Sequence, residues 1–230
     1  MKAYFAAAAV SVVVFLGGCT TAPQAPLSMT EGALTAQSGR VGVVMSTLPK
    51  VNTAFPGAGC LLCIAAAEVA NSSLTKHTQA LTYEDLPSVK EQAAGILRKK
   101  GIEVTVIDDK FDLDNLDRFS SQGLNSASKD FRPFAQKFKV DKLIVFSINS
   151  IGVARAYSAY IPNGDPKAEI HGFAYMVNLA NNTYEWYAKI DAVRASDGNW
   201  DEAPTYPGLT NAYYQVIEMT KDQLLKPLAQ

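Results

Sequence analysis

Between Asp141 and Val193 the chain carries four strand-like stretches separated by short polar turns, and no other feature limits the possible folds as much. KLIVFSINSIGV runs on into ARAYSAYI; Pro162-Asn163-Gly164-Asp165-Pro166 and Ala180-Asn181-Asn182 are turns, flanking AEIHGFAYMVNL, and TYEWYAKIDAV follows. Strand pattern with short Asn/Gly/Asp turns predicts an antiparallel meander. Beyond the loop Trp200 to Pro207, Leu209, Ala212, Tyr213, Val216, Ile217, Thr220 and Leu224 recur at helical spacing until Pro227, so a C-terminal helix is expected to pack back on the sheet.

The first half reads differently. Arg40 to Thr47 is a β-branched run expected as a buried first strand. A helix is expected from Thr82 or Pro87 to Lys100: Val89, Ala93, Ile96 and Leu97 share a face, Lys99 and Lys100 oppose the terminal dipole, and Gly101 sits where a left-handed stop belongs. Ile102 to Ile107 follows as a strand, giving a βαβ crossover. Asp112 to Ser121 and Asp130 to Phe138 are expected as short helices.

The start of the chain is an address. One lysine, an apolar run from Tyr4 to Leu16 and then Gly17-Gly18-Cys19 form a secretory signal, too short to span a bilayer. Leu16-Gly17-Gly18-Cys19 resembles the lipobox of bacterial lipoproteins, which implies cleavage before Cys19, a diacylglycerol thioether on its sulfur and an acylated amino group. Thr20 rather than Asp after the anchor resembles the sorting signal that sends Gram-negative lipoproteins to the outer membrane. Thr20 to Gly39, mixing Pro, Thr, Ser, Gln and Gly without an apolar period, is expected as a flexible tether. With 21 basic and 22 acidic residues there is no field to attract nucleic acid.

The order of elements, with Val140-Asp141-Lys142-Leu143-Ile144-Val145 entering the meander and Tyr184-Glu185-Trp186 after its last turn, resembles the small α/β domain shared by the amino-terminal region of TolB, the curli-secretion lipoprotein CsgG and the penicillin-binding-protein activator LpoB. That resemblance implies a non-enzymatic envelope module. Asn181-Asn182-Thr183 stands where the family carries a Thr/Gly pair, and the cysteine-bearing helix is outside its pattern.

Cys60 and Cys63 are the strongest local constellation. A Cys-x-x-Cys at a helix start puts both sulfurs on one face and lowers the first thiol's pKa. The helix that follows, GCLLCIAAAEVANSSLTKH, is apolar nearly all round for its first eleven residues and is expected to be buried or at an interface. A structural disulfide or buried pair is the first reading, an interface element the second and thiol-disulfide exchange the third. Zinc would need two more ligands, with His77 the nearby histidine. The acidic run Asp108 to Asp117 lacks the glycine and closing glutamate of a calcium loop and reads as helix caps. Gly57-Ala58-Gly59 reads as a helix-entry turn. His171 shares a strand face with Glu169, and the commoner meaning is an exposed face.

Eight of the ten tyrosines fall between Tyr157 and Tyr214, with both tryptophans. Such rings suit a half-exposed recognition surface, and strands favour them regardless. Tyr157, Tyr160, Tyr175, Tyr184 and Trp186 are the binding-surface candidates; alternation puts His171, Phe173 and Tyr175 on one face and Tyr184 with Trp186 on one face.

The expectation is a signal peptide over 1–18, a lipid-anchored tether over 19–39 and one α/β (α+β) domain over 40–230, with a mixed, largely antiparallel sheet packed by helices. Lipidation falls on Cys19, and no catalytic set, metal or cofactor is expected. The function expected is an accessory lipoprotein at the periplasmic face of the outer membrane, binding an envelope protein or its own copies. Alternatives are a thiol-disulfide oxidoreductase using Cys60 and Cys63, and a subunit of a secretion or pore assembly.

Overall fold

β1 (Val41–Met45) is buried at every position and lies between two parallel neighbours, β3 (Val104–Ile107) and β4 (Lys142–Ala154). A parallel strand covered on both faces needs apolar side chains at successive positions, which is what Val43-Val44-Met45 supplies. The computed structural model describes residues 24–30, 32–120 and 123–230; the signal segment and Cys19 lie outside the described residues.

Beyond β4 the sheet turns antiparallel through β7 (Lys167–Asn178) and β8 (Thr183–Ala195), giving the order β3-β1-β4-β7-β8. A sixth strand, β2 (Asn52–Ala54), runs parallel to the far end of β4 on the edge that β1 leaves free. The fold is α+β with a mixed sheet whose longest ladders are antiparallel, as expected.

One face of the sheet carries the main core. Ile144, Phe146, Ile170, Met176 and Ile190 pack there against α3 (Val89–Lys99) and α5 (Pro207–Ala229). All seven of the residues that recur at helical spacing in α5, Leu209 through Leu224, are buried, and Gly101 takes the left-handed conformation (φ +79°) that stops α3. The other face is covered only towards the start of β4, where Phe111, Ala127 and Phe131 of the segment leading into α4 (Pro133–Phe138) close over Val145, Tyr175 and Val177.

Three expectations meet a different structure. Of Asp112 to Ser121, the described residues form one 3-10 turn, Leu113–Asn115, because Asp112 accepts from the Asp114 backbone at 3.0 Å and from Asn115 Nδ2 at 3.1 Å, local bonds that compete with a helix. ARAYSAYI is no strand of the meander: β5 (Tyr157–Ser158) and β6 (Ile161–Pro162) make a separate hairpin, drawn off the sheet by Tyr157 N–H donating to Pro56 O at 2.7 Å and Ala159 N–H to Gly57 O at 3.2 Å. Finally, residues 27–38, expected within the tether, lie on the domain: Leu27 exchanges two backbone bonds with Tyr187, at 2.8 and 3.0 Å, and Ala33 is buried. β8 is an edge strand, and this segment takes up backbone groups the edge leaves free.

The helix expected after Pro56 is broken into α1 (Leu61–Ala70) and α2 (Ser72–Gln79) at Asn71. Buried Asn71 donates through Nδ2 to Ala67 O and to the Tyr157 hydroxyl and accepts from Arg155 Nη1, at 2.7, 2.6 and 2.8 Å. That trio fixes both helices to the end of β4.

Candidate functional site

Two strands carry one residue too many. Asn149 on β4 is unpaired between the partners Ile148↔Gly172 and Ser150↔His171, and Glu185 on β8 is unpaired between Met176↔Trp186 and Val177↔Tyr184. A bulge of this kind reverses the alternation of everything beyond it. On β8 the result is that Tyr184 and Tyr187 share the outer face, while Trp186, 3% exposed, turns into the main core. The pairing of Tyr184 with Trp186 on one face is thereby corrected, and Trp186 is no surface residue. Glu185 itself is held by Lys142 Nζ at 2.7 Å and Asn178 Nδ2 at 2.9 Å.

The outer-face rings gather into one cluster. Tyr175 meets Tyr184 edge-on at 5.3 Å and stacks on Tyr187 at 5.8 Å; Tyr184 and Tyr187 are 5.0 Å apart, and Phe173 lies 5.4 Å from Tyr187. They form one wall of an open cleft of about 510 Å³, within the range of small-molecule sites. Phe111, Leu113, Lys129 and Phe131 stand opposite.

That second wall is held by Asn182 in the β7–β8 turn. Its side chain accepts from Phe131 N–H at 2.9 Å and donates to Lys129 O at 2.8 Å and Ala127 O at 3.4 Å. Lys129 Nζ in turn donates to Leu116 O and Asp114 O, at 3.0 and 3.4 Å, tying the loop across itself.

The floor is polar. Ser147 Oγ lies 3.2 Å from Asn149 Oδ1, and the buried Ser46 Oγ has no hydrogen-bond partner among the described residues. Burial raises the pKa values of all three tyrosines: Tyr175 well above the ordinary range, Tyr184 to about 12, and Tyr187 upward by the same cause. A raised tyrosine pKa contributes stability that is complete below pH 10 and is lost as pH rises through the folded-state value. Denaturation midpoints should therefore fall between pH 10 and about 12, and Tyr184→Phe should fall less over that window than the wild type. Equal slopes for the two proteins would show that Tyr184 is not shielded as the cleft requires.

The five aromatic candidates thus separate into four places, Trp186 being in the main core. Tyr175 and Tyr184 are in the cleft, with Tyr187, Ser46 and Asn149 joining from positions the sequence did not single out. Tyr157, 6% exposed, is no surface residue either: it packs under α1 against Phe55. Tyr160 is exposed on the β5–β6 hairpin, its hydroxyl 3.6 Å from Cys60 Sγ.

α1 is not buried. Of its ten residues only Cys63 and Ala67 are covered, while Leu61 (87% exposed), Leu62 and Val69 face outward beside Tyr160 and Ile161. The expected burial fails because α1 touches the domain through a single thin stripe, Cys63 and Ala67 on Tyr157 and Phe55. Cys60 and Cys63 are joined in a disulfide; Cys60 is the exposed N-cap, its sulfur accepting from Cys63 N–H at 3.0 Å. Of the two forms in the first reading, a structural disulfide or a buried pair, the structure has the disulfide, with Cys63 buried and Cys60 exposed.

The remaining candidates are engaged structurally. His77 Nε2 pairs with Thr210 Oγ1 at 2.8 Å, and burial lowers its pKa. Asp108 and Asp109 are ion-paired with Lys90 and Lys137. Both nitrogens of His171 face carboxylates, Asp191 at 2.9 Å and Glu169 at 3.3 Å, on the part of the sheet left open among the described residues. Such a row is an ion-paired strand face and not a base set against a nucleophile. Among the described residues no helix is long and apolar enough to cross a membrane.

No family model matches the chain, and neither does any curated protein. Among solved structures, the PelC dodecamer from Paraburkholderia phytofirmans is similar at 11% identity with a TM-score of 0.31, covering 88% of this chain and 96% of that one. A Xanthomonas campestris protein of the DUF330 family is similar at 9% identity and a TM-score of 0.36, covering 89% and 92%. A putative neuraminyllactose-binding hemagglutinin homolog from Helicobacter pylori stands at 12% identity and 0.36, covering 84% and 87%. Scores of this size leave the fold and the function of the chain to its own residues.

Proposed function

We propose that the chain is a lipid-anchored accessory lipoprotein of the cell envelope, held at the periplasmic face of the outer membrane through Cys19, and that it acts as an assembly module whose copies associate through α1 and the β5–β6 hairpin. The observation that carries this reading is the exposure of Leu61, Leu62 and Val69 on a helix fastened at its first turn by a disulfide. Contiguous exposed apolar surface marks interaction sites.

The chemistry of α1 favours protein over lipid. A helix lying in a membrane interface carries a basic polar face; α1 has no basic residue, and its one charge is Glu68. An almost uncharged patch meets a second copy of itself without opposing like charges, as a two-fold contact requires. Position agrees: Leu27, where the anchoring segment docks, lies in the row of Val145, Tyr175 and Tyr187, whereas α1 packs near Ala154. Nine strand residues separate those rows, roughly 30 Å, so α1 lies towards the end of the strands remote from where that segment docks.

A photo-crosslinking residue at Leu62 of the full-length protein in intact cells should yield an adduct of twice the monomer mass, reduced about tenfold by Leu61→Lys, while Cys19→Ser accumulates as uncleaved precursor. An adduct with a different protein alone transfers the surface to a foreign partner. No adduct, or normal processing of Cys19→Ser, refutes the corresponding half of the reading.

A second reading has one specific observation behind it. An exposed N-cap cysteine bonded to a buried one, ringed by Leu61, Leu62 and Tyr160, is how a thiol-disulfide exchange site would be arranged. Given a thiol reductant, the Cys60 thiolate would attack a substrate disulfide and Cys63 would displace the product thiol, closing the Cys60–Cys63 bond. Insulin reduction by dithiothreitol should then accelerate with wild type and not with Cys60→Ala; no acceleration by wild type eliminates exchange and leaves the disulfide as a clamp on α1.

A further inference from the structure

The aromatic cleft is separate from α1, and its chemistry points to a ligand of its own. We infer that it binds a neutral pyranose saccharide. Three observations converge on that class.

The first is the wall. Phe173, Tyr184 and Tyr187 are half-buried rings packed on one another and on the sheet, so the cleft offers fixed apolar faces, suited to the C–H face of a sugar ring. Rings with few rotatable bonds give such contact at small entropic cost.

The second is the floor. Ser46 is 9% exposed and lines the cleft, and among the described residues its Oγ has no partner; Asn149 spends Oδ1 on Ser147, and its amide N–H₂ is engaged by none of them. A purely hydrocarbon ligand would leave the buried Ser46 Oγ unpaired and would bury the exposed Asn149 amide unpaired as well, at a cost the interior seldom bears. A polyhydroxylated ring supplies both donor and acceptor to them.

The third is charge. Lys129, tied to two backbone carbonyls, is the one cation among the described lining residues and is outnumbered by the carboxylates of Asp112 and Asp114, so the cleft offers no excess positive charge to an anionic group. Asp112 is occupied by Asp114 N–H and Asn115, which leaves the Asp114 carboxylate to a ligand, and a carboxylate accepts two sugar hydroxyls readily. Where the covering segment stops, the register runs from Phe173↔Lys189 to His171↔Asp191, a polar row along which the next units of an oligosaccharide would lie.

The test uses the full-length protein in detergent with maltotriose, cellotriose, triacetylchitotriose and choline, by saturation-transfer NMR and titration calorimetry. At least one trisaccharide should bind with a Kd of about 1 mM or tighter, Tyr187→Ala should weaken it at least roughly tenfold, and Ser46→Ala should weaken it several-fold at an unchanged melting temperature. Leu61→Lys should bind as wild type does, which separates this site from the association surface. The inference is overturned if no trisaccharide binds, if binding ignores both cleft substitutions, or if choline binds more tightly than every saccharide.

Discussion

Asn182→Ala is expected to destabilise the protein by about 3 kcal/mol, lowering its melting temperature by roughly 6–12 °C. Asn182 is fully buried, sits at φ +59° and serves three backbone groups of the Ala127–Phe131 stretch. Alanine removes the two short bonds, to Phe131 N–H and Lys129 O, at about 1 kcal/mol each, and it adds roughly 1 kcal/mol for the left-handed conformation that asparagine tolerates. Asn182→Gly separates the two causes, since it relieves the backbone and still loses the bonds; it should melt between the alanine variant and the wild type. The second wall of the cleft depends on the same contacts, so both variants should also lose the shielding of Tyr184. A melting temperature within about 2 °C of wild type for Asn182→Ala would mean that the turn does not hold this loop.

Gly152→Ala should be at least as damaging, by about 3–5 kcal/mol. Gly152 lies at φ +146° opposite Asn52, and a Cβ there would meet Asn52 O at 1.9 Å and the Asn52 backbone C and N at 2.9 Å. None of these atoms belongs to a flexible side chain, so β2 must leave β4. Phe55, which underlies α1, follows directly from β2, and the displacement should loosen the disulfide-bearing helix as well. Limited proteolysis gives a local readout: cleavage between Val51 and Cys60 should appear in the variant and be slow in the wild type. A variant with unchanged melting and unchanged cleavage would contradict the close β2–β4 approach.

Elements whose residues bury one face against a neighbour of fixed kind were legible from residue order. α5 is the clearest case: each apolar position at helical spacing is buried, because a 3.6-residue period admits one buried stripe. α3 and its Gly101 stop follow the same logic, as does β1, whose valine-rich stretch suits a strand covered on both sides. Half of the cleft was within reach too, since Tyr175 and Tyr184 were singled out as aromatic surface.

What residue order did not contain were the bulges at Asn149 and Glu185. A bulge depends on which residues of two strands pair, and one unpaired residue exchanges the faces of all that follow, so Tyr187 joined the cleft and Trp186 left for the core. The exposure of α1 was hidden for a related reason: a helix apolar on every side has no polar face to say which side meets water. The cleft itself needed two distant segments, the strands from Phe173 to Tyr187 and the loop from Phe111 to Phe131, joined through one buried asparagine. Periodicity within a segment is a local property that local sequence determines; parity across a bulge, the open side of α1 and the meeting of the two walls are set by non-local pairing, and only the tertiary structure decides them.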